Sequence, residues 1–191
     1  MRCDAAATLW NLALFVPKES IVKYRTTFFA ACTPLVRLTT HSNSEVRVAA
    51  MGAVAGLAGL NDELRNEIAR NSVAQLSLPQ ILSQASDRRC CIEAARAINN
   101  ITNGDKGRVE RAEILLTAGC VPPLVMLLKN EVDMICSGSV ELEDDLVLVL
   151  LDALVNFAWG GDRPCNAIVE AGVCDGEIGV GNTKFGRCFN L

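Results

Sequence analysis

The sequence predicts an all-α fold, a solenoid of stacked helices with about four repeats, incomplete at both ends. Three observations predict it. Half of the 191 residues are hydrophobic but only 5% are aromatic, with a single Tyr; a chain rich in Ala, Leu and Val favours helices over a β-sandwich. A phrase of small residues closing on Asn, or once on Gly, recurs at Ala5–Ala13, Ala49–Ala58, Ala94–Thr102 and Leu151–Ala158. Its anchors are Asn11, Gly56, Asn100 and Asn156, so successive anchors lie 45, 44 and 56 positions apart, and the first two spacings match the roughly 40–47-residue period of helical solenoids. Around the anchors, Val46, Ala50, Ala53, Val54 and Leu57, then Cys91, Ala94, Ala95, Ile98 and Ile101, recur at three and four, the period of one buried helical face. One such unit cannot bury both of its faces, so neighbours must stack.

Each unit reads as short helix, medium helix, turn, long helix. The chain opens inside a long helix that closes on Asn11. Pro34-Leu-Val-Arg-Leu and Pro122-Pro-Leu-Val-Met-Leu-Leu read as medium helices started by proline, with Leu78-Pro-Gln-Ile-Leu in the equivalent place; proline in a first turn loses no intrahelical hydrogen bond. Polar turns follow. Asn43 or Ser44, and Ser86 or Asp87, are natural N-caps for long helices expected at about Ser44–Gly59 and Asp87–Asn103, with a third at Glu143–Ala158. Short helices are expected after each anchor, at Asn61–Ala69, Asp105–Thr117 and Asp162–Gly172. The excess before Asn156 falls in Asn130–Glu143, which predicts an acidic, flexible inserted loop. The resulting units are about 1–15 (partial), 16–60, 61–104, 105–161 and 162–175 (partial), and Gly-rich 176–191 reads as an irregular or disordered tail.

Lys and Arg number 18 against 22 Asp and Glu, a net charge of −4. This balance argues against a generic nucleic-acid binder, and the apolar fraction against a disordered chain. Nine cysteines with no CxxC, set mostly among Ala, Val and Leu, read as reduced core thiols of a cytoplasmic or nuclear protein rather than as a disulfide framework. His41 is the only histidine and sits in a Thr-Thr-His-Ser-Asn-Ser turn, so neither a zinc site nor a histidine-based catalytic triad is expected. Leu146–Trp159 is interrupted by Asp152 and Asn156 and is too short to span a bilayer. No cofactor motif is present; the spacing of Gly179, Gly181 and Gly186 fits no phosphate-binding loop.

The phrase Thr117-Ala-Gly-Cys-Val-Pro-Pro-Leu-Val-Met-Leu-Leu, the Glu45-Val-Arg opening of one long helix, and the Ala-x-x-Asn closings together resemble the armadillo repeat, over about residues 4–175. HEAT repeats are the near neighbour but usually lack the Ala-Gly-x-x-Pro-Leu-Val junction. The resemblance implies a right-handed superhelix whose third helices line a concave groove for an extended partner peptide. It also implies that Asn11, Asn100 and Asn156 hydrogen-bond the partner's backbone. A side-chain amide carries both donor and acceptor and suits that role; it equally suits backbone groups at a helix end. Importin-α members carry Trp one turn before this Asn, forming slots for lysine. The matching positions here are Ala7, Gly52, Arg96 and Asp152, so that pattern is absent.

The function expected is a non-catalytic protein-binding scaffold or adaptor, with an importin-α-like transport adaptor or a solenoid regulator of an enzyme such as a small GTPase as alternatives. No nucleophile or acid–base pair suggests an enzyme. Arg89 and Arg96, within a run that includes Arg88, Lys106, Arg108 and Arg111, would attract an acidic partner segment if they face the groove. Asp152, with Asp144 and Asp145, gives the next unit the opposite sign, so the groove is expected to be basic in the middle and acidic toward the C-terminus. Trp159 is expected to flank it.

Overall fold

A computed structural model describes residues 2–84, 87–137 and 145–173. Eleven helices are present among these residues: α1 (Arg2–Phe15), α2 (Lys18–Lys23), α3 (Arg25–Leu38), α4 (Ser44–Leu60), α5 (Asp62–Arg70), α6 (Ser72–Ser83), α7 (Arg88–Thr102), α8 (Arg108–Thr117), α9 (Val121–Cys136), α10 (Asp145–Ala158) and α11 (Asp162–Glu170). They stack as an α-solenoid. The long helices α1, α4, α7 and α10 form one row, each packed on the next, and α3, α6 and α9 back them. The short helices α5, α8 and α11 form a third row in which successive members touch.

Local chemistry sets the boundaries. Asn43 caps α4 by accepting from the Val46 N–H at 3.2 Å. Asp87 caps α7 by accepting from Cys90. Asn61 and Asn71 cap α5 and α6 in the same way. Each cap satisfies an N–H that the helix itself leaves unpaired. At the α8–α9 junction Gly119 takes φ +82°, a left-handed conformation that favours glycine. This lets Cys120 N–H reach back to Leu115 O at 3.1 Å, so α9 can start at once with Pro122 in its first turn.

Two expectations are corrected. Pro34 and Pro79 do not start their helices; they lie inside α3 and α6. The preceding turns, Arg25–Thr33 and Ser72–Leu78, are already helical, because Phe28 and Cys32 on α3 and Ala74 and Leu78 on α6 are buried against the core. Tertiary packing there outweighs the one backbone bond a proline removes. The insertion is also not a loop throughout. The segment 130–136 continues α9, with Glu131 buried and bridged to Arg88 of α7. The rest of the expected loop, 138–143, and the expected tail, 176–191, lie outside the described residues.

The geometry between units is held by polar ties as well as apolar packing. Asp87 accepts from Ser44 Oγ at 2.7 Å and pairs with Arg47 at 2.6 Å. Arg111 is fully buried and ties α8 to the turn before it and to α5. It donates to the carbonyls of Ile101, Asn103 and Lys106 and to the side chains of Asn66 and Asp62. A buried guanidinium is tolerated only when its donors are satisfied in this way.

Candidate peptide-binding face

The long-helix row presents one face that α3, α6 and α9 do not cover. Ala7, Gly52, Arg96 and Asp152 stand at equivalent places on α1, α4, α7 and α10. The four anchors lie one turn further on. The two halves of this face differ. On α4 it carries no polar side chain at these places: Gly52 is buried beneath Trp10 of α1, Gly56 packs against Ala13, and Gly59 is exposed. On α7 and α10 it carries polar and aromatic side chains: Arg96, Asn100 and Asn103, then Asp152, Asn156 and Trp159. Trp159 is 69% exposed.

The α4 half is shaped by one contact. A Cβ at Gly52 would lie 2.5 Å from Cδ2 of Trp10, and one at Gly56 would lie 2.8 Å from Cβ of Ala13. Glycine therefore lets α1 and α4 approach until the indole lies on the α4 backbone. Trp10 is a packing residue, and Gly56 stands where the other units have Asn because no larger side chain fits.

The anchor asparagines turn inward as well as outward. Asn100 Nδ2 donates to the carbonyl of Ala55 on α4 at 2.9 Å. Asn156 Nδ2 donates to Oδ1 of Asn99 on α7 and lies 3.5 Å from the Asn99 carbonyl. In both cases the acceptor residue immediately precedes the anchor of the previous unit, so the bonds form rungs between successive long helices. Asn100 and Asn156 are half-buried, and their donors are engaged within the chain. Asn11, on α1, is exposed.

The expected basic centre is corrected. Arg89 and Arg96 are each matched by a carboxylate. Arg89 donates to both carboxylate oxygens of Glu45 on α4, at 3.0 and 3.4 Å. Arg96 donates to Glu93 at 2.7 Å. The rest of the basic run is dispersed: Arg88 pairs with Glu131 on α9, while Arg108 and Arg111 bond in the α7–α8 turn. Asp152 is exposed and forms no ion pair among the described residues. Asp144, and the side chain of Asp145, lie outside the described residues, so the acidic end expected of all three is represented here by Asp152.

Sequence reasoning missed Glu93 and Asn99. Glu93 is buried, and its Oε2 has no hydrogen-bond partner among the described residues. Burial pushes its carboxyl above the usual range, an effect that Arg96 partly offsets. Nothing in the sequence separates this glutamate from a solvated one. The Arg89–Glu45 pair was legible: the two residues lie 44 positions apart, at the same place in successive units. His41 accepts from the Asn43 N–H at 3.1 Å. Among the described residues no three His, Cys, Asp or Glu side chains converge as a metal site would require. No single described helix is long and apolar enough to cross a membrane; α8 and α9 pass such a test only as a pair, bent by 81°.

No protein-family model matches the chain, and no curated protein matches it. Solved structures do. An engineered protein of the Northeast Structural Genomics Consortium superposes with a TM-score of 0.73 at 29% identity, over 90% of this chain and 62% of its own. A designed armadillo repeat protein gives 0.73 at 27% identity, over 90% of this chain and 64% of its own. A second designed armadillo repeat protein, solved in complex with the peptide (KR)4, gives 0.71 at 28% identity, over 89% and 63%. The chain thus spans a little under two thirds of the length of these three structures.

Proposed function

We propose that this chain, an armadillo-type right-handed solenoid, is a non-catalytic scaffold that holds an extended segment of a partner protein. The segment would lie along the α7–α10 half of the long-helix face. One observation carries the reading: Arg96 with Asp152 and Asn100 with Asn156 stand at equivalent places on the successive helices α7 and α10, where Asp152 and the nearby Trp159 are exposed. A structural neighbour is a designed armadillo repeat protein in complex with a peptide, which supports it. Extended peptides suit such a face because their backbone groups are free to meet side-chain acceptors and their side chains alternate in direction. The oxygens Oδ1 of Asn100 and Asn156 supply acceptors, while Trp159 supplies an apolar surface with little entropy to lose. Arg89 and Arg96, already paired, contribute orientation more than net charge. Asn11, on α1, lies outside the proposed footprint. Partner choice would then rest on the polar and aromatic half. A reducing compartment, cytoplasm or nucleus, is proposed on the strength of the buried thiols.

A peptide-array screen with the full chain tests this. Asp152→Ala and Trp159→Ala remove exposed side chains and should leave the fold intact. The double variant is expected to lose at least about tenfold in affinity for the peptides bound by the wild type, the scale of a removed interface anchor. Equal binding by both proteins would place the partner site elsewhere, and an array without a single bound peptide would overturn the scaffold reading.

A further inference from the structure

The turn between α7 and α8 contains Asn103-Gly104-Asp105-Lys106-Gly107, and Asn103 is the only asparagine of the chain that a glycine follows. It closes α7 as an exposed residue in extended backbone, with ψ 169°. Gly104 takes φ +88°, and a Cβ there would lie 2.5 Å from Nη1 of Arg65, so glycine is the residue this turn accepts. The Gly104 N–H donates to Oδ1 of Asn103 at 2.7 Å. Oδ1 is bonded to Cγ. A backbone nitrogen is therefore held beside the electrophilic carbon of the preceding side chain, with no side chain of its own to shield it.

Cations grip the same stretch of backbone. The Asn103 carbonyl accepts from Nη2 of the buried Arg111 at 2.6 Å, and the Gly104 carbonyl accepts from Nε of Arg108 at 2.9 Å. A guanidinium on a carbonyl draws electrons from the peptide group and eases loss of the proton from its nitrogen. Positive charge already in place also stabilises the anion that forms. Asp62 and Asp105 offset only part of the charge of Arg65, Arg108 and Arg111. The asparagines followed by serine lack this arrangement. Asn43 Oδ1 accepts from the Val46 N–H, and Asn71 Oδ1 accepts from the N–H groups of Val73 and Ala74. Each of these caps turns its amide toward the first turn of its helix and not onto the next nitrogen.

We infer that Asn103 is a self-modification site, converted to an acid by its own backbone, and that the folded α7–α8 turn speeds the conversion. The Gly104 nitrogen gives its proton to hydroxide and attacks Cγ of Asn103. The N–Cγ bond forms, the Cγ–Nδ2 bond breaks, and Nδ2 leaves as ammonia with a proton from water, closing a succinimide ring. Water then opens the ring. Cleavage at Cγ gives aspartate. Cleavage at the former backbone carbonyl gives isoaspartate, with its new carboxylate on the carbon whose oxygen Arg111 holds. Either product puts a negative charge where a neutral amide stood; no atom is oxidised or reduced, and water is the only co-reactant. The fold contributes by holding the two reacting groups together and by ringing them with guanidinium groups. The change is one-way. It falls on the long-helix row, at the place that Gly59 and Trp159 hold in the flanking units, so the middle of that row becomes more acidic as the chain ages.

Mass-spectrometric peptide mapping of the full chain, held at mildly alkaline pH, reads the result against a free peptide of residues 98–110 in the same buffer. Conversion of amide to acid at Asn103 is expected to precede that at Asn43 and Asn71, and to run several-fold faster in the folded chain than in the peptide. A rate in the folded chain no higher than in the peptide overturns the proposal, because the turn would then add nothing to what the Asn-Gly pair does unaided. Earlier conversion of Asn43 or Asn71 overturns it too. Asn103→Gln keeps an amide but needs a larger ring for the same attack. Isoelectric focusing is expected to show a new acidic species in the aged wild type and none in this variant, with circular dichroism confirming that the variant is folded. The same acidic species at the same rate in both proteins would place the chemistry at another residue and sink the assignment. The comparison of folded chain with peptide needs no substitution and stands whether or not the variant folds.

Discussion

At the scale of single residues many polar groups of the chain bond within it rather than facing outward from the long-helix row. Arg111, Asp87 and Asn61 satisfy backbone groups that helix ends leave open. Among the described residues Glu93 is the exception, a buried carboxylate with one oxygen paired to Arg96 and the other without a partner. Because burial raises its pKa in the folded chain, the folded state holds that proton more tightly than the unfolded state does. The contribution of Glu93 to stability is therefore most favourable at low pH. It declines as pH rises from its ordinary value of 4.5 through the raised one. Glu93→Gln keeps an acceptor for Arg96 and takes up no proton. Relative to the wild type, the variant is expected to gain stability steadily as pH rises across that window and then to level off. Urea unfolding midpoints measured from pH 4 to about 8 check this; a constant difference between the two proteins would show that Glu93 does not titrate with folding.

At the scale of elements, helix α4 joins the two halves of the molecule. It packs on α1, α3, α5 and α7, and small residues make that possible. Gly52→Ala would drive a methyl into the Trp10 ring, and overpacking of this kind costs about 1–3 kcal/mol. Gly59→Ala meets only the Asn100 amide, at 3.4 Å. It should be neutral or stabilise by up to about 1 kcal/mol through helix propensity. Thermal unfolding of the two variants is expected to move in opposite directions or at clearly different magnitudes; equal losses would contradict the account of the seam. Most of this element structure was legible in the sequence. The 45-residue recurrence, the periodic apolar face and the Asn and Asp caps are local signals, and they place α4, α7 and α10 to within a residue or two. What stayed hidden depends on contacts between units. Proline at 34 reads as a helix start until Phe28 and Cys32, six and two residues earlier, are seen to be buried in the same helix. Arg89 and Arg96 read as a basic patch until Glu45 and Glu93 are seen beside them. The inward turn of Asn100 and Asn156 is likewise invisible without the neighbouring helix, because the residue type fits a peptide or a carbonyl equally well.

At the scale of the whole molecule, the core is one continuous apolar spine from Ala6 to Ile168, and thiols are part of it. Cys32, Cys90, Cys91 and Cys120 are free and buried. Burial pushes them up to about 11, 12, 11 and 12 respectively, so thiolate is scarce at neutral pH and reactivity is low. Cys136 is free and exposed. Labelling with a thiol reagent, followed by mass-spectrometric mapping, is expected to modify Cys136 at once and the four buried thiols only as their units open. Since each unit touches chiefly its neighbours, the four need not respond together, and their separate rates would report how far unfolding is shared along the stack. Simultaneous, rapid labelling of all five would contradict the packing described.

The Ala13–Gly56 contact also constrains how this surface could change over evolutionary time. An asparagine at position 56 would restore the missing rung, since the Trp10 carbonyl lies 3.8 Å from where its Cβ would be. The methyl of Ala13 blocks that step while it is present. A lineage would have to reduce residue 13 to glycine first, giving up packing before gaining a hydrogen bond, so the two positions are expected to change as an ordered pair and not singly.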